Sequence, residues 1–234
     1  MERPTNNSPK LRLSPTAWAK LLFLRDLGQT EVGGFGITAA GDLLYVSDIQ
    51  LVKQVCTGVS VRFDDASVAD FFDRQVDLGR KPTEFSRLWL HTHPGACPQP
   101  SLTDEQTFAR AFGKTDWAIM FILACGGQTY CRLEFHVGPG GAILLPVEVD
   151  FTLPFPAADQ AAWREEYLAS VQEEPLLLDL AASRLERDLG HFGAHRAPLA
   201  SLVGWDGFLE EDLDHGLVEV HHPFAEGDFL DDDF

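Results

Sequence analysis

A chain of 234 residues with 45% hydrophobic and 23% charged residues is long enough to bury one sizeable core. Acids outnumber bases 36 to 18, and residues 201–234 hold eleven Asp and Glu with no Lys or Arg, a field that repels phosphate and argues against a nucleic-acid partner. No apolar run approaches the roughly 20 residues that span a bilayer, and the first fifteen residues lack the apolar stretch of a secretory signal. Four cysteines (Cys56, Cys97, Cys125 and Cys131) show neither CxxC spacing nor disulfide density. The expectation is a cytoplasmic protein with reduced thiols and no membrane anchor.

Residues 1–13 read as a loose leader. Ser14 and Pro15 pattern as N-cap and first helical position, opening a helix to about Leu27 with Trp18, Leu21 and Leu22 inward and Gly28 as a stop. Strand patterns follow at 31–37, 43–49 and 55–63, the last alternating Val55, Thr57, Val59, Val61 and Phe63 onto one face. Over 66–76, Val68, Phe71, Phe72 and Val76 recur at helical spacing. Residues 86–93 read as a buried strand, 103–112 as a helix with Phe108 and Phe112 on one side, and 117–123, 129–137 and 142–149 as strands. This order predicts an α/β or α+β sheet domain over 14–150. Beyond it, 157–174 and 176–190 read as two helices separated by Pro175, so that 151–234 forms a helical extension with an acidic tail. The alternation of aromatics and acids in "FAEGDFLDDDF" is typical of a solvated or partner-docking tail.

The chemistry concentrates in "LWLHTHPGACPQPSLTDEQTF", residues 88–108. Side chains at i and i+2 of a strand share a face, so His91 and His93 project together and Thr92 turns away. Two neutral imidazoles make half of a zinc site, and Asp104 at the start of the next helix offers an oxygen. Two His plus one carboxylate leave a fourth position for water, the mark of a catalytic site. Each piece also has a plain structural reading. The HxH pair can be packed histidines, Ser101 an N-cap in a capping box, and Asp104 a first-turn acid favoured by the helix dipole.

Together the residues spell H-x-H-P-x6-S-x-x-D, and in this string the sequence resembles the JAMM (JAB1/MPN/Mov34) metalloproteases. His91, Thr92, His93, Pro94, Ser101 and Asp104 match position by position, and Glu31 in "TEVGGFGI" stands where the family carries an upstream glutamate. The resemblance covers roughly residues 15–150. It implies an MPN/JAB-like mixed sheet flanked by helices and one catalytic Zn2+ held by His91, His93 and Asp104. Glu31 would be the general acid/base and Ser101 the oxyanion donor. It further implies a peptidase that detaches a ubiquitin-like protein from a target or trims its tail, beside activating- and conjugating-enzyme-like partners. Residues 64–86 fall where deubiquitinating members insert a partner-binding segment, so Phe71 and Phe72 either contact that partner or pack on the sheet.

Competing readings remain. A non-catalytic MPN-type scaffold would lack the ligands present here, and a small-substrate amidase or sulfur-carrier-processing enzyme would use the same centre. Non-haem iron oxygenases order their ligands HxD…H rather than HxH…D. Metal-dependent amidohydrolases need an eightfold strand–helix alternation that is not visible. His136 reads as an exposed structural residue on the polar face of its strand. His221 and His222 are a surface pair, and Cys97 is a loop thiol. The glycines of "EVGGFG" mark either close backbone approach or a bulge.

Overall fold

The computed structural model describes residues 8–174. Ser14 Oγ accepts the Ala17 amide hydrogen and Pro15 fills the first turn, so helix α1 (Pro15–Leu27) begins where the capping chemistry predicts. The strands are β1 (Leu11–Leu13), β2 (Gly33–Ala39), β3 (Asp42–Gln50), β4 (Gln54–Thr57), β5 (Ser60–Phe63) and β6 (Leu88–His93). They continue with β7 (Trp117–Ala124), β8 (Thr129–Phe135), β9 (Gly141–Leu144), β10 (Val147–Val149) and β11 (Val171–Glu173). The remaining helices are α2 (Asp65–Asp77), α3 (Pro82–Phe85), α4 (Leu102–Phe112) and α5 (Gln160–Ser170).

Eight strands make one mixed sheet in the order β10-β1-β3-β2-β6-β7-β8-β9, and β11-β4-β5 make a second. At the centre, β6 runs parallel to β7 from Leu88↔Ile119 to His93↔Ala124, and β2 lies antiparallel on its other side. The sheet is covered by helices on both faces, so β6 is buried at every position and β7 reads as a near-continuous apolar run rather than as an alternating one. The period-2 rule still divides β6. Leu88 and Leu90 join Leu13, Leu21, Val46 and Phe121 in the layer that includes α1. Trp89 joins Phe35, Phe71, Phe85, Phe108 and Met120 in the layer under α2 and α4. Each fully buried side chain of this kind contributes about 1.5–3 kcal/mol. His91 and His93 follow Trp89 on the α2/α4 face, so the fold delivers both imidazoles to one side.

The sequence expectation of a mixed α/β domain holds, with four local differences. Leu11–Leu13, assigned above to the leader, form a buried strand parallel to both β10 and β3. The run 55–63 is a hairpin rather than one strand, turning between Thr57 and Ser60, whose hydroxyls lie 2.9 Å apart. The expected strand 142–149 breaks at Pro146 into β9 and β10. The helix expected over 157–174 ends at Ser170, and Val171–Glu173 pair in parallel with β4.

Packing also continues past the domain boundary expected near residue 150. Trp163 of α5 tilts against Phe23 of α1 at 5.7 Å, and Glu166 pairs with Lys20 at 2.6 Å. Phe71 is fully buried and stacks on Phe35 at 4.9 Å, so it is a core residue and not a partner contact. Phe72 is half-buried, edge-on to both Phe71 and Phe85. Among the described residues no helix is long and apolar enough to cross a membrane. The segment 1–7, the helix expected at 176–190, the pair His221 and His222, and the acidic tail lie outside the described residues.

Candidate metal centre

Glu31, His91, His93 and Asp104 meet at the end of β6, each offering one ligand atom within 4.8 Å of the others. All four are buried, His91 completely. Three elements bring them together. The two histidines come from β6, Asp104 from the first turn of α4, and Glu31 from the segment entering β2 beside β6. His91 Nε2 lies 3.3 Å from Asp104 Oδ1, His93 Nε2 lies 3.5 Å from Asp104 Oδ2, and His93 Nε2 lies 3.7 Å from Glu31 Oε1.

These separations bear on whether an ion fits. Ligands about 2.0–2.1 Å from a tetrahedral centre stand about 3.3–3.4 Å apart, close to what the quartet shows. The hydrogen-bond inventory agrees. Both ring nitrogens of His91, His93 Nε2 and Glu31 Oε2 are buried with no hydrogen-bond partner among the described residues. Such orphaned atoms are costly in a protein interior unless a ligand engages them. The set of two imidazoles and two carboxylates is the chemistry that zinc and similar divalent ions prefer. The group can therefore hold a metal ion.

The surroundings orient the ligands. His93 Nδ1 donates to the Cys97 carbonyl at 2.9 Å, which leaves Nε2 with its lone pair facing the cluster. The indole of Trp89 stacks on the His91 ring at 4.2 Å and 24°. Asp104 Oδ2 accepts from both the backbone N–H and the hydroxyl of Ser101, at 2.7 and 2.8 Å. Ser101 is the N-cap of α4 in a reciprocal capping box with Asp104. The structural reading of Ser101 is thus what the geometry displays, and the same bonds fix the carboxylate in place.

Glu31 is fixed through its backbone. Its N–H donates to the Thr57 carbonyl at 2.8 Å. The next residue, Val32, donates its N–H to Thr92 Oγ1 at 3.0 Å and accepts from the Thr92 N–H at 2.9 Å. Gln54 then brackets Gly33, accepting its N–H and donating to its carbonyl, both at 2.8 Å. Thr92 does turn away from the ligands, but it pins the strand that carries Glu31. The glycines of this strand meet a close-approach requirement. A Cβ on Gly33 would sit 2.9 Å from Val61 Cγ1, and one on Gly34 would sit 2.9 Å from the Gln50 carbonyl oxygen.

Charge follows burial and contact. Burial lowers the His91 pKa, and nearby Asp104 only partly offsets it. For His93, burial is outweighed by Asp104, the Cys97 carbonyl and Glu31, and the pKa rises. Asp104 is raised by burial but carried well below the usual carboxylate range by His91, His93 and the Ser101 amide. Glu31 is pushed up to about 8, chiefly by burial, against the pull of His93 and with reinforcement from Asp104.

That last shift makes a stability prediction for ion-free protein. Folded Glu31 keeps its proton up to about 8, whereas the unfolded chain releases it near 4.5. The native state therefore binds more protons between those values, and unfolding free energy falls as pH rises through the window. His93, also raised, contributes with the same sign. Glu31→Gln is neutral at every pH and should flatten the decline by on the order of 1 kcal/mol or more between pH 5.5 and 8. Urea unfolding of both proteins after chelator treatment measures this, and parallel profiles would contradict the assignment.

The other singled-out residues stay outside the centre. His136 is half-buried rather than exposed; Nδ1 donates to the Thr115 carbonyl at 2.8 Å and Nε2 lies 3.2 Å from Glu134 Oε2. Cys97 has an exposed thiol and serves the site through its carbonyl alone. Cys125 is likewise exposed, whereas Cys56 and Cys131 are buried. No protein-family model matches the chain, and no curated protein matches it.

Proposed function

We propose that the chain is a zinc peptidase of the JAMM type, with the MPN/JAB-like fold, that hydrolyses the bond following a ubiquitin-like protein. The observation that carries this reading is the convergence of Glu31, His91, His93 and Asp104 on one buried point, with atoms of Glu31, His91 and His93 left without a hydrogen-bond partner among the described residues. The motif H-x-H-P-x6-S-x-x-D supports it, because its metal-ligating members are the residues that meet there. A scaffold has no use for three converging orphan ligands.

His91, His93 and Asp104 would hold the ion. When bound, zinc supplies Lewis acidity, which acidifies water and polarises a carbonyl. The chain's own groups do the rest. Glu31 takes the proton of the attacking water at its carboxylate and returns it to the departing amine. The Ser101 hydroxyl, which donates to Asp104 here, turns its proton toward the oxygen on which negative charge develops. Asp104 and the Cys97 carbonyl keep the imidazoles aligned. Trp89, stacked against His91, screens one side of the centre from water. The expected setting is the cytoplasm, beside activating- and conjugating-enzyme-like partners.

The test is a ubiquitin-like protein fused through its C-terminal glycine to a reporter. The expected result is release at that bond, verified by product mass, abolished by 1,10-phenanthroline and restored by zinc. Release that survives the chelator would overturn the metal mechanism. No release by zinc-loaded protein would overturn the substrate class.

A further inference from the structure

Two cavities, of about 670 Å³ and about 430 Å³, open beside β5 and α4. Val61, Arg62, Thr107 and Arg110 line both, so they form one groove between β5 and α4. The groove touches the proposed metal site only through neighbours of its ligands. Trp89 lines its larger end and stacks on His91. Thr103 and Thr107 line the wall contributed by α4, on either side of Asp104.

The lining has two characters. The larger end is aromatic, formed by Phe35, Phe63, Phe72, Trp89 and Phe112. The shared waist carries Arg62 on one wall and Arg110 on the other. Both guanidinium groups are exposed, and neither makes an ion pair or hydrogen bond among the described residues. Arg74 is likewise unpaired among the described residues, and what sets Arg62 and Arg110 apart is that both line this groove. Arg12, Arg25, Arg87 and Arg132 all sit on carboxylates. The groove's own acids, Asp65 and Glu174, line the larger and the smaller end respectively, one in each cavity. One wall, β5, is the edge strand of its sheet, and an open backbone edge accepts an extended chain.

We infer that the groove binds an extended polypeptide segment bearing acidic side chains next to an aromatic one. Arg62 and Arg110 straddle the carboxylates, and the Phe35/Phe63/Phe72/Phe112 end takes the ring. Paired guanidinium groups suit carboxylates because each offers planar, permanently charged donors. The apolar end supplies buried area for an aromatic anchor. The inference deepens the proposed function by giving a segment of the partner an acidic, not basic, character. It rests on that reading only for the link to cleavage, since binding needs no turnover.

The experiment is fluorescence anisotropy with the full-length protein and a fluorescein-labelled dodecapeptide alternating Phe with Asp. Its counterpart carries Lys for every Asp. The acidic peptide is expected to bind at least tenfold tighter than the Lys peptide, and more weakly as salt rises. Arg62→Ala/Arg110→Ala should erase the preference, and Arg62→Lys/Arg110→Lys should restore part of it. Both arginines are exposed, so the variants keep the core intact. Equal binding of the two peptides, or an unchanged preference in the alanine variant, would overturn the inference. Because anisotropy reads binding alone, a failed cleavage assay leaves this result standing, and the converse also holds.

Discussion

Glu31→Gln is expected to lower the rate of fusion cleavage by about 10²–10⁴-fold, the usual contribution of a positioned general acid/base, with zinc content unchanged. The substitution is nearly isosteric and removes only the ability to exchange a proton. The backbone that positions residue 31 is held by Thr57, Thr92 and Gln54, none of which senses the change. Glutamine does not add a charge to the buried cluster, so the fold is not penalised. Cleavage and zinc content measured on the same preparation check this. Full activity in the variant would assign the base elsewhere.

Asp104→Asn is expected to act on the ion rather than the proton. Asp104 pairs with both histidines, at 3.3 and 3.5 Å, and its charge would balance a dication in a buried site. Asparagine keeps an oxygen for the Ser101 amide, so the cap of α4 survives, but the negative charge is gone. Loss of an outer partner of a metal ligand costs about 10–100-fold in affinity. Loss of the ligand's charge should cost at least as much. Cleavage falls with occupancy and recovers in excess zinc, whereas Glu31→Gln does not recover. Competition with a zinc-chelating dye gives the affinity, and wild-type affinity in the variant would remove Asp104 from the site. The two variants separate proton transfer from metal holding, which a single alanine scan would merge.

The centre was legible because strand geometry and ligand chemistry agree in a short stretch. The i, i+2 rule places His91 and His93 on one face, and the capping signature "SLTD" starts α4 so that Asp104 enters in its first turn. Glu31 is legible only as a position in a pattern. It reaches the site through pairing of β2 with β6, nearly sixty residues away in sequence, and nothing local announces that contact. Thr92, Gln54 and the Cys97 carbonyl escaped notice for related reasons. Thr92 acts from the face turned away, Gln54 reaches across from another strand, and a backbone carbonyl leaves no mark in residue type.

The fold was legible in its long elements and not in its short ones. Three-residue strands such as Leu11–Leu13 and Val171–Glu173 carry no measurable period. One partner of each, β10 and β4, lies over a hundred residues away. The hairpin at Thr57–Ser60 was hidden by an alternation of Val55, Thr57, Val59, Val61 and Phe63 that continues through the turn. There the turn residue Gly58 was the signal to weigh. Phe71 and Phe72 shared a pattern and both meet Phe35 and Phe85, and only the depth of burial in the fold distinguishes the buried ring from the half-buried one.

The most direct measurement is metal content by mass spectrometry of protein purified without chelator, wild type beside His91→Ala/His93→Ala. Close to one zinc per chain is expected in the wild type and none in the double variant, with its fold retained by circular dichroism. A wild-type protein that carries no divalent ion and takes up none from added zinc would contradict the account, whatever its activity.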